Sequence, residues 1–124
     1  MILSERLKKI FSAQKPKTKF VAYFVGCHPT YEKSLDIIKA SIDNGTSIVE
    51  IGYSTSEASA EGPIIKAAQD WVIANKSSLK DVINLAKEVR DYNKDVGIIL
   101  MGYISNLFMF PIPKFIEEIK KVDV

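Results

Sequence analysis

The chain has 124 residues, of which 47% are apolar and 26% charged, as in an ordinary globular protein; we expect one domain, residues 1–124. Its net charge of +2 gives no reason to expect nucleic acid or an anionic membrane as a partner. The single cysteine, Cys27, excludes an internal disulfide and a metal site with several cysteines. No apolar run approaches the roughly 18 residues of a membrane span, and we expect a cytoplasmic protein.

The first part of the sequence predicts a helix, a strand and a second helix. Ser4 is placed to cap a short amphipathic helix, and the apolar segment 20–25 predicts a strand covered on both faces. Thr30 begins a long helix with apolar residues at helical spacing. Cys27 and His28 lie in the turn between strand and helix. A nucleophile, a base or a ligand is one interpretation of them, but no second His or Cys completes a site, and we favour a half-buried thiol and a turn histidine.

The second part continues the alternation of strands and helices. A buried strand is predicted at 48–51, a helix at 64–74 and a second helix at 78–90, which begins with the pattern of a capping box. A strand at 96–103 and a last helix from Pro113 follow. This order predicts an α/β fold of parallel βα units, without a fingerprint of nucleotide binding. Periodicity does not separate part of a (β/α)₈ barrel from an open doubly wound sheet of the flavodoxin type.

Two carboxylates mark the strongest functional signal in the chain. Glu50 lies inside the apolar strand closed by Gly52, and Glu61 lies at the end of the following loop, directly before Gly62-Pro63. A glutamate that is buried without a partner is hard to explain structurally, because burial disfavours the charged form. A carboxyl group at the carboxyl end of a parallel strand is well placed for general acid–base catalysis.

The same stretch resembles the tryptophan synthase alpha chain family. That family has a strand of the form L-E-L-G, then P-F-S-D-P, then A-D-G-P, and this chain has V-E-I-G at 49–52, S-T-S-E-A at 54–58 and A-E-G-P at 60–63 with no gap. A second similarity is I-L-M-G-Y-I-S-N at 99–106, beside the family's I-L-M-T-Y-Y-N-P. The turn G-C-H-P at 26–29 replaces the family's G-D-P signature.

The resemblance implies a reaction and a set of roles. The family cleaves indole-3-glycerol phosphate to indole and glyceraldehyde 3-phosphate, in tryptophan biosynthesis, with no metal or organic cofactor. Glu50 would transfer protons, and Glu61 would hydrogen-bond the indole N–H. Residues near the substrate would be Tyr23, Met101 and Tyr103. The residues of the loop that would contact a tryptophan synthase beta chain are Ser54, Thr55, Ser56 and Glu57.

The resemblance also concerns the extent of the fold. A (β/α)₈ barrel needs about 250 residues, and its phosphate site follows strands seven and eight. This sequence matches an N-terminal helix and the first three βα units, so we expect a truncated half-barrel fragment that is not active alone. Open sheet edges and an uncovered inner face favour self-association, and we expect a homodimer. The alternative is a non-catalytic half-barrel interaction module or a degenerate remnant of the family.

Overall fold

The structure, a computed structural model, describes residues 4–14, 18–57 and 59–124. Within them, the elements in chain order are α1 (Glu5–Ser12), β1 (Val21–Val25), α2 (Tyr31–Asp43), β2 (Ile48–Gly52), α3 (Pro63–Ala74), α4 (Leu79–Tyr92), β3 (Gly97–Met101), α5 (Ile104–Phe108) and α6 (Ile112–Val122). None of these helices is long and apolar enough to cross a membrane.

The three strands form one parallel sheet in the order β1-β2-β3. In its register, Val21 pairs with Ile48, which pairs with Gly97, and the pairing continues to the carboxyl ends of the strands. The predicted α/β fold of parallel βα units is confirmed. The sequential strand order excludes the flavodoxin-like alternative, in which the first strand lies between the second and the third.

The core lies between one face of the sheet and the helices α2 and α4. Val49 and Ile51 point to this side from β2, and neither is exposed to solvent. Ile38 of α2 and Leu85 of α4 are equally inaccessible and belong to the same apolar cluster. Local signals begin these helices as predicted, because Thr30 caps α2 and Ser78 forms a reciprocal capping box at the start of α4.

In the described part of the chain, the opposite face of the sheet is covered only at its lower end, where the strands begin. There α1 packs over Gly97, where an added Cβ atom would lie within about 3 Å of the Ile10 and Leu7 side chains. Toward the carboxyl ends the described residues leave the face open, and Glu50, Ile99 and Met101 are half-buried there. The prediction that the first strand is covered on both faces is therefore wrong: Val21 is 44% exposed, and Phe20 lies outside β1 and is 61% exposed.

The segment after β3 also differs from the expectation. The sequence predicted one helix from Pro113, whereas a short helix, α5, precedes α6, which begins at Ile112. The side chains of Phe108 and Met109 at the end of α5 are largely exposed. Neither a cap nor apolar periodicity predicted α5, because a helix of five residues is too short to show a repeat.

Arg90 joins the end of α4 to the end of α6. The residue is 6% exposed, and its guanidinium donates hydrogen bonds of 2.7–3.2 Å to four backbone carbonyl groups. These carbonyls belong to Asn93, Val96, Val122 and Asp123. The planar fork of an arginine suits this arrangement, since a lysine ammonium on a flexible stem does not reach four fixed acceptors at once.

We expect Arg90→Lys to lower the free energy of unfolding by about 2 kcal/mol or more, because buried carbonyl groups lose their donors. Urea denaturation followed by circular dichroism measures the change. Lys87→Ala, at an exposed position of the same helix, serves as the control and should change stability by less than about 0.5 kcal/mol. Equal effects of the two substitutions would contradict the structural role of Arg90.

Candidate functional site

Glu50 lies in the middle of β2 and on the open face of the sheet. Its neighbours on both sides along the strand, Val49 and Ile51, face the core, so Glu50 points the other way. In the register of the sheet it stands between Tyr23 of β1 and Ile99 of β3. The expectation of a buried glutamate is corrected: the side chain is half-buried, because the described residues cover this face only at its lower end.

The charges of Glu50 and Glu61 both act on the pKa of Tyr23. Burial raises the pKa of the Tyr23 hydroxyl, and the negative charge of Glu61 raises it further, with a smaller contribution in the same direction from Glu50. The side-chain amide of Gln69 acts in the opposite direction. The fold therefore brings the charges of Glu50 and Glu61 within electrostatic reach of one tyrosine, although eleven positions separate them in the sequence.

The loop after β2 is tied to the segment after β3. The backbone N–H of Ala60 donates a hydrogen bond of 2.9 Å to the Tyr103 hydroxyl, and the Asn106 amide donates one of 2.9 Å to the carbonyl of Ser54. These contacts hold the loop at both of its ends over the carboxyl edge of the sheet. Tyr103 thus positions the loop that carries Glu61.

Met101 and Gly52 complete the upper edge of the site. They are paired in register at the ends of β3 and β2, and Met101 is half-buried. The backbone N–H of Tyr53 donates a hydrogen bond of 2.9 Å to the Met101 carbonyl, which extends the strand pairing by one residue. Met101 is therefore close to the row that contains Glu50, and its place near the substrate stays a prediction.

The four residues expected to contact a partner divide into an inner and an outer group. Thr55 is 6% exposed, and its backbone N–H donates a hydrogen bond of 3.2 Å to Oε1 of Gln69. Ser56 and Glu57 are exposed to solvent. Ser54 is half-buried, and its Oγ has no hydrogen-bond partner among the described residues.

A cavity of about 340 Å³ lies between this loop and α5. Its walls include Ser54, Glu57, Asn106 and Met109. The Asn106 Oδ1 atom is buried and also lacks a hydrogen-bond partner within the described part of the chain. Unpaired buried acceptors beside a cavity are groups that a bound molecule can satisfy. No spacing pattern in the sequence marks Asn106 or Gln69 as functional, because each is a single amide residue within a helix.

Cys27 is fully buried rather than half-buried. It is 2% exposed, adopts a φ of 66°, and its backbone N–H donates a hydrogen bond of 3.2 Å to the Ser34 hydroxyl. Burial, assisted by the charge of Asp81, raises the pKa of the thiol from 9.0 to about 11. Such a thiol is a poor nucleophile at neutral pH.

His28, the next residue, is half-buried. The described residues contain no cluster of three His, Cys, Asp or Glu side chains able to hold a metal ion.

Comparison with known proteins gives one consistent result. The family model described as "Tryptophan synthase alpha chain" matches residues 11–124. A tryptophan synthase alpha chain from Methanoregula boonei is 33% identical over 119 residues, which are 96% of this chain and 44% of the relative. One from Leptospira biflexa is 27% identical over 115 residues, which are 93% of this chain and 43% of the relative.

Solved structures agree with the sequence relatives. A protein from Aquifex aeolicus superposes with a TM-score of 0.89 at 31% identity, over 94% of this chain and 47% of the other. The tryptophan synthase alpha subunit from Legionella pneumophila superposes with a TM-score of 0.87 at 21% identity, over 98% and 47%. The chain spans about half the length of the proteins it matches. The predicted fold, about three βα units of a (β/α)₈ barrel, is confirmed by these superpositions.

The raised pKa of Cys27 leads to a prediction about reactivity and pH. At about pH 8 the thiol of the folded protein should react with iodoacetamide far more slowly than in urea, because it is buried and protonated. The unfolded thiol ionises first as the pH rises, so the stability contributed by Cys27 is complete below pH 9 and is lost as the pH rises towards 11.

Mass spectrometry of the alkylated protein and urea denaturation at several pH values check both expectations. Cys27→Ala is the matched control, since it should lose less stability than the wild type between pH 9 and 11. Rapid alkylation of the folded wild type would contradict the buried position of the thiol.

Proposed function

Because this chain belongs to the tryptophan synthase alpha chain family, we propose that it contributes to a lyase site that cleaves indole-3-glycerol phosphate to indole and glyceraldehyde 3-phosphate. We place this reaction in the cytoplasm. The observation that carries the proposal is the position of Glu50 and Glu61, whose charges both act on Tyr23 at the carboxyl side of a parallel sheet. Active sites of (β/α)₈ barrels lie on this side.

The reaction asks two things of the carboxyl groups. Cleavage of the bond between the indole ring and the glycerol chain leaves an aldehyde, so the hydroxyl on the cleaved carbon gives up a proton and the ring carbon receives one. Glu50, on the row beside Tyr23, is the group that takes and delivers these protons. Glu61, at the end of the loop, accepts a hydrogen bond from the indole N–H and stabilises positive charge that develops on the ring nitrogen.

The proposed site needs further strands to cover the open face of the sheet. The open face exposes Glu50 to water, and a general acid or base works best in a site from which water is excluded. A second copy of the chain is the covering partner that we propose, because the free edges of β1 and β3 offer unpaired backbone groups for parallel pairing.

We further propose that a tryptophan synthase beta chain docks on the loop after β2. Ser56 and Glu57 are exposed there, and the cavity beside them contains the unpaired Ser54 Oγ and Asn106 Oδ1 atoms. A partner that donates hydrogen bonds to these atoms would remove the cost of leaving them unsatisfied.

The role of Glu50 is tested by Glu50→Gln, which keeps the shape of the side chain but removes its acid–base function. We expect the rate of indole release from indole-3-glycerol phosphate to fall by about 10²–10⁴-fold. Glu32→Gln, an exposed acid on α2 that lies outside the proposed site and the docking loop, is the control and should retain the wild-type rate. Unchanged activity of the Glu50→Gln variant would contradict the proposed mechanism. A wild type without activity in any assembly would favour the non-catalytic interaction module.

Self-association is tested by light scattering on the purified chain. We expect a particle of twice the mass of one chain, because pairing covers the sheet edges and the apolar part of the open face. Dilution should shift the equilibrium towards the monomer and lower the thermal midpoint. A well-folded monomer at all concentrations would contradict a pair of half-barrels.

A further inference from the structure

The Tyr23 hydroxyl occupies a defined position above the end of β2. A Cβ atom added to Gly52 would lie 2.3 Å from this oxygen, so the ring reaches across β2 only because residue 52 has no side chain. Glu50 is two residues earlier on the same face, and its Cα atom pairs with that of Tyr23. The phenol and the carboxyl group therefore project from neighbouring strands into the same part of the open face.

This hydroxyl has no completed hydrogen bond within the described residues. The side-chain amide of Gln69 is near enough to lower the pKa of Tyr23, but its oxygen accepts a hydrogen bond from the Thr55 N–H, and no described residue is bonded to the Tyr23 hydroxyl. A buried hydroxyl without a partner destabilises the folded chain, since it has lost its hydrogen bonds to water. Its persistence at the candidate site is explained if a ligand supplies the missing partner.

The protonation state of the Tyr23 hydroxyl determines which kind of ligand group can bind to it. Burial and the charges of Glu61 and Glu50 raise the pKa of the phenol, so it stays protonated and acts as a donor at neutral pH. Ionised carboxylates only accept hydrogen bonds. A donor beside an acceptor is the arrangement that suits an alcohol, which both accepts and donates a hydrogen bond.

We propose that Tyr23 and Glu50 together bind one alcohol hydroxyl of the substrate, with Tyr23 donating to its oxygen and Glu50 accepting its proton. This role rests on the proposed function, in which the glycerol chain carries such hydroxyls, and it makes Tyr23 a specificity-determining residue. Gly52 is the positioning residue that gives the phenol its place.

The test compares two ligands and two Tyr→Phe variants by titration calorimetry, on the chain in the assembly that it forms in solution. The ligands are indole-3-glycerol phosphate and the analogue in which an unsubstituted propyl chain replaces the glycerol. We expect the Tyr23→Phe variant to lose about tenfold in affinity for the first ligand and nothing for the second. Tyr92→Phe, which removes a surface hydroxyl bonded to Asp43, is the matched control and should leave both affinities unchanged.

A second measurement uses the protein without ligand. Tyr23→Phe should leave the thermal midpoint unchanged or raise it, because it removes a hydroxyl that has no partner; a clear decrease would show an internal partner and overturn the proposal. Equal loss of affinity for both ligands, or no loss for either, would also overturn it while leaving the proposed function intact. If the wild type bound neither ligand, the proposed function and this role would both fall.

Discussion

Burial of one face of the parallel sheet against two helices is the interaction on which the rest of the structure depends. Val49 and Ile51 alternate with Glu50 along β2, so the strand that anchors the core necessarily turns its carboxylate to the opposite face. Leu85 of α4 closes the core over these residues. Apolar burial on one side therefore both stabilises the sheet and places the candidate catalytic group.

The functional groups of the candidate site lie on the open face, because the opposite face of the sheet is packed in the core. Tyr23 and Glu50 share one row, and the loop that ends in Glu61 reaches the same region because Tyr103 and Asn106 hold it over the sheet. In parallel sheets the carboxyl ends of all strands lie on one side, and loops that follow different strands meet there. The site thus combines a rigid strand position with a loop position.

Several of the exposed apolar side chains lie near the two free edges of the sheet. Val21 lies on β1, Ile37 and Ile64 line a cavity beside that strand, and Phe108 and Met109 lie beyond β3. Two copies would supply six strands from the described residues, fewer than the eight of a closed (β/α)₈ barrel. Self-association would therefore cover the edges without reproducing the barrel of the relatives, whereas a partner with more strands would complete it.

Sequence by itself determined the order of the strands and of every helix except α5. The capping signals at Thr30 and Ser78 act within a few residues, and the apolar run around Glu50 is a strand because of its own composition, so both were readable without a fold. Only the tertiary structure decided how much of each side chain is covered. Glu50 is half-buried and Cys27 is fully buried, both contrary to expectation. Periodicity predicts which face of an element a residue lies on, but its exposure depends on which distant segments pack over that face.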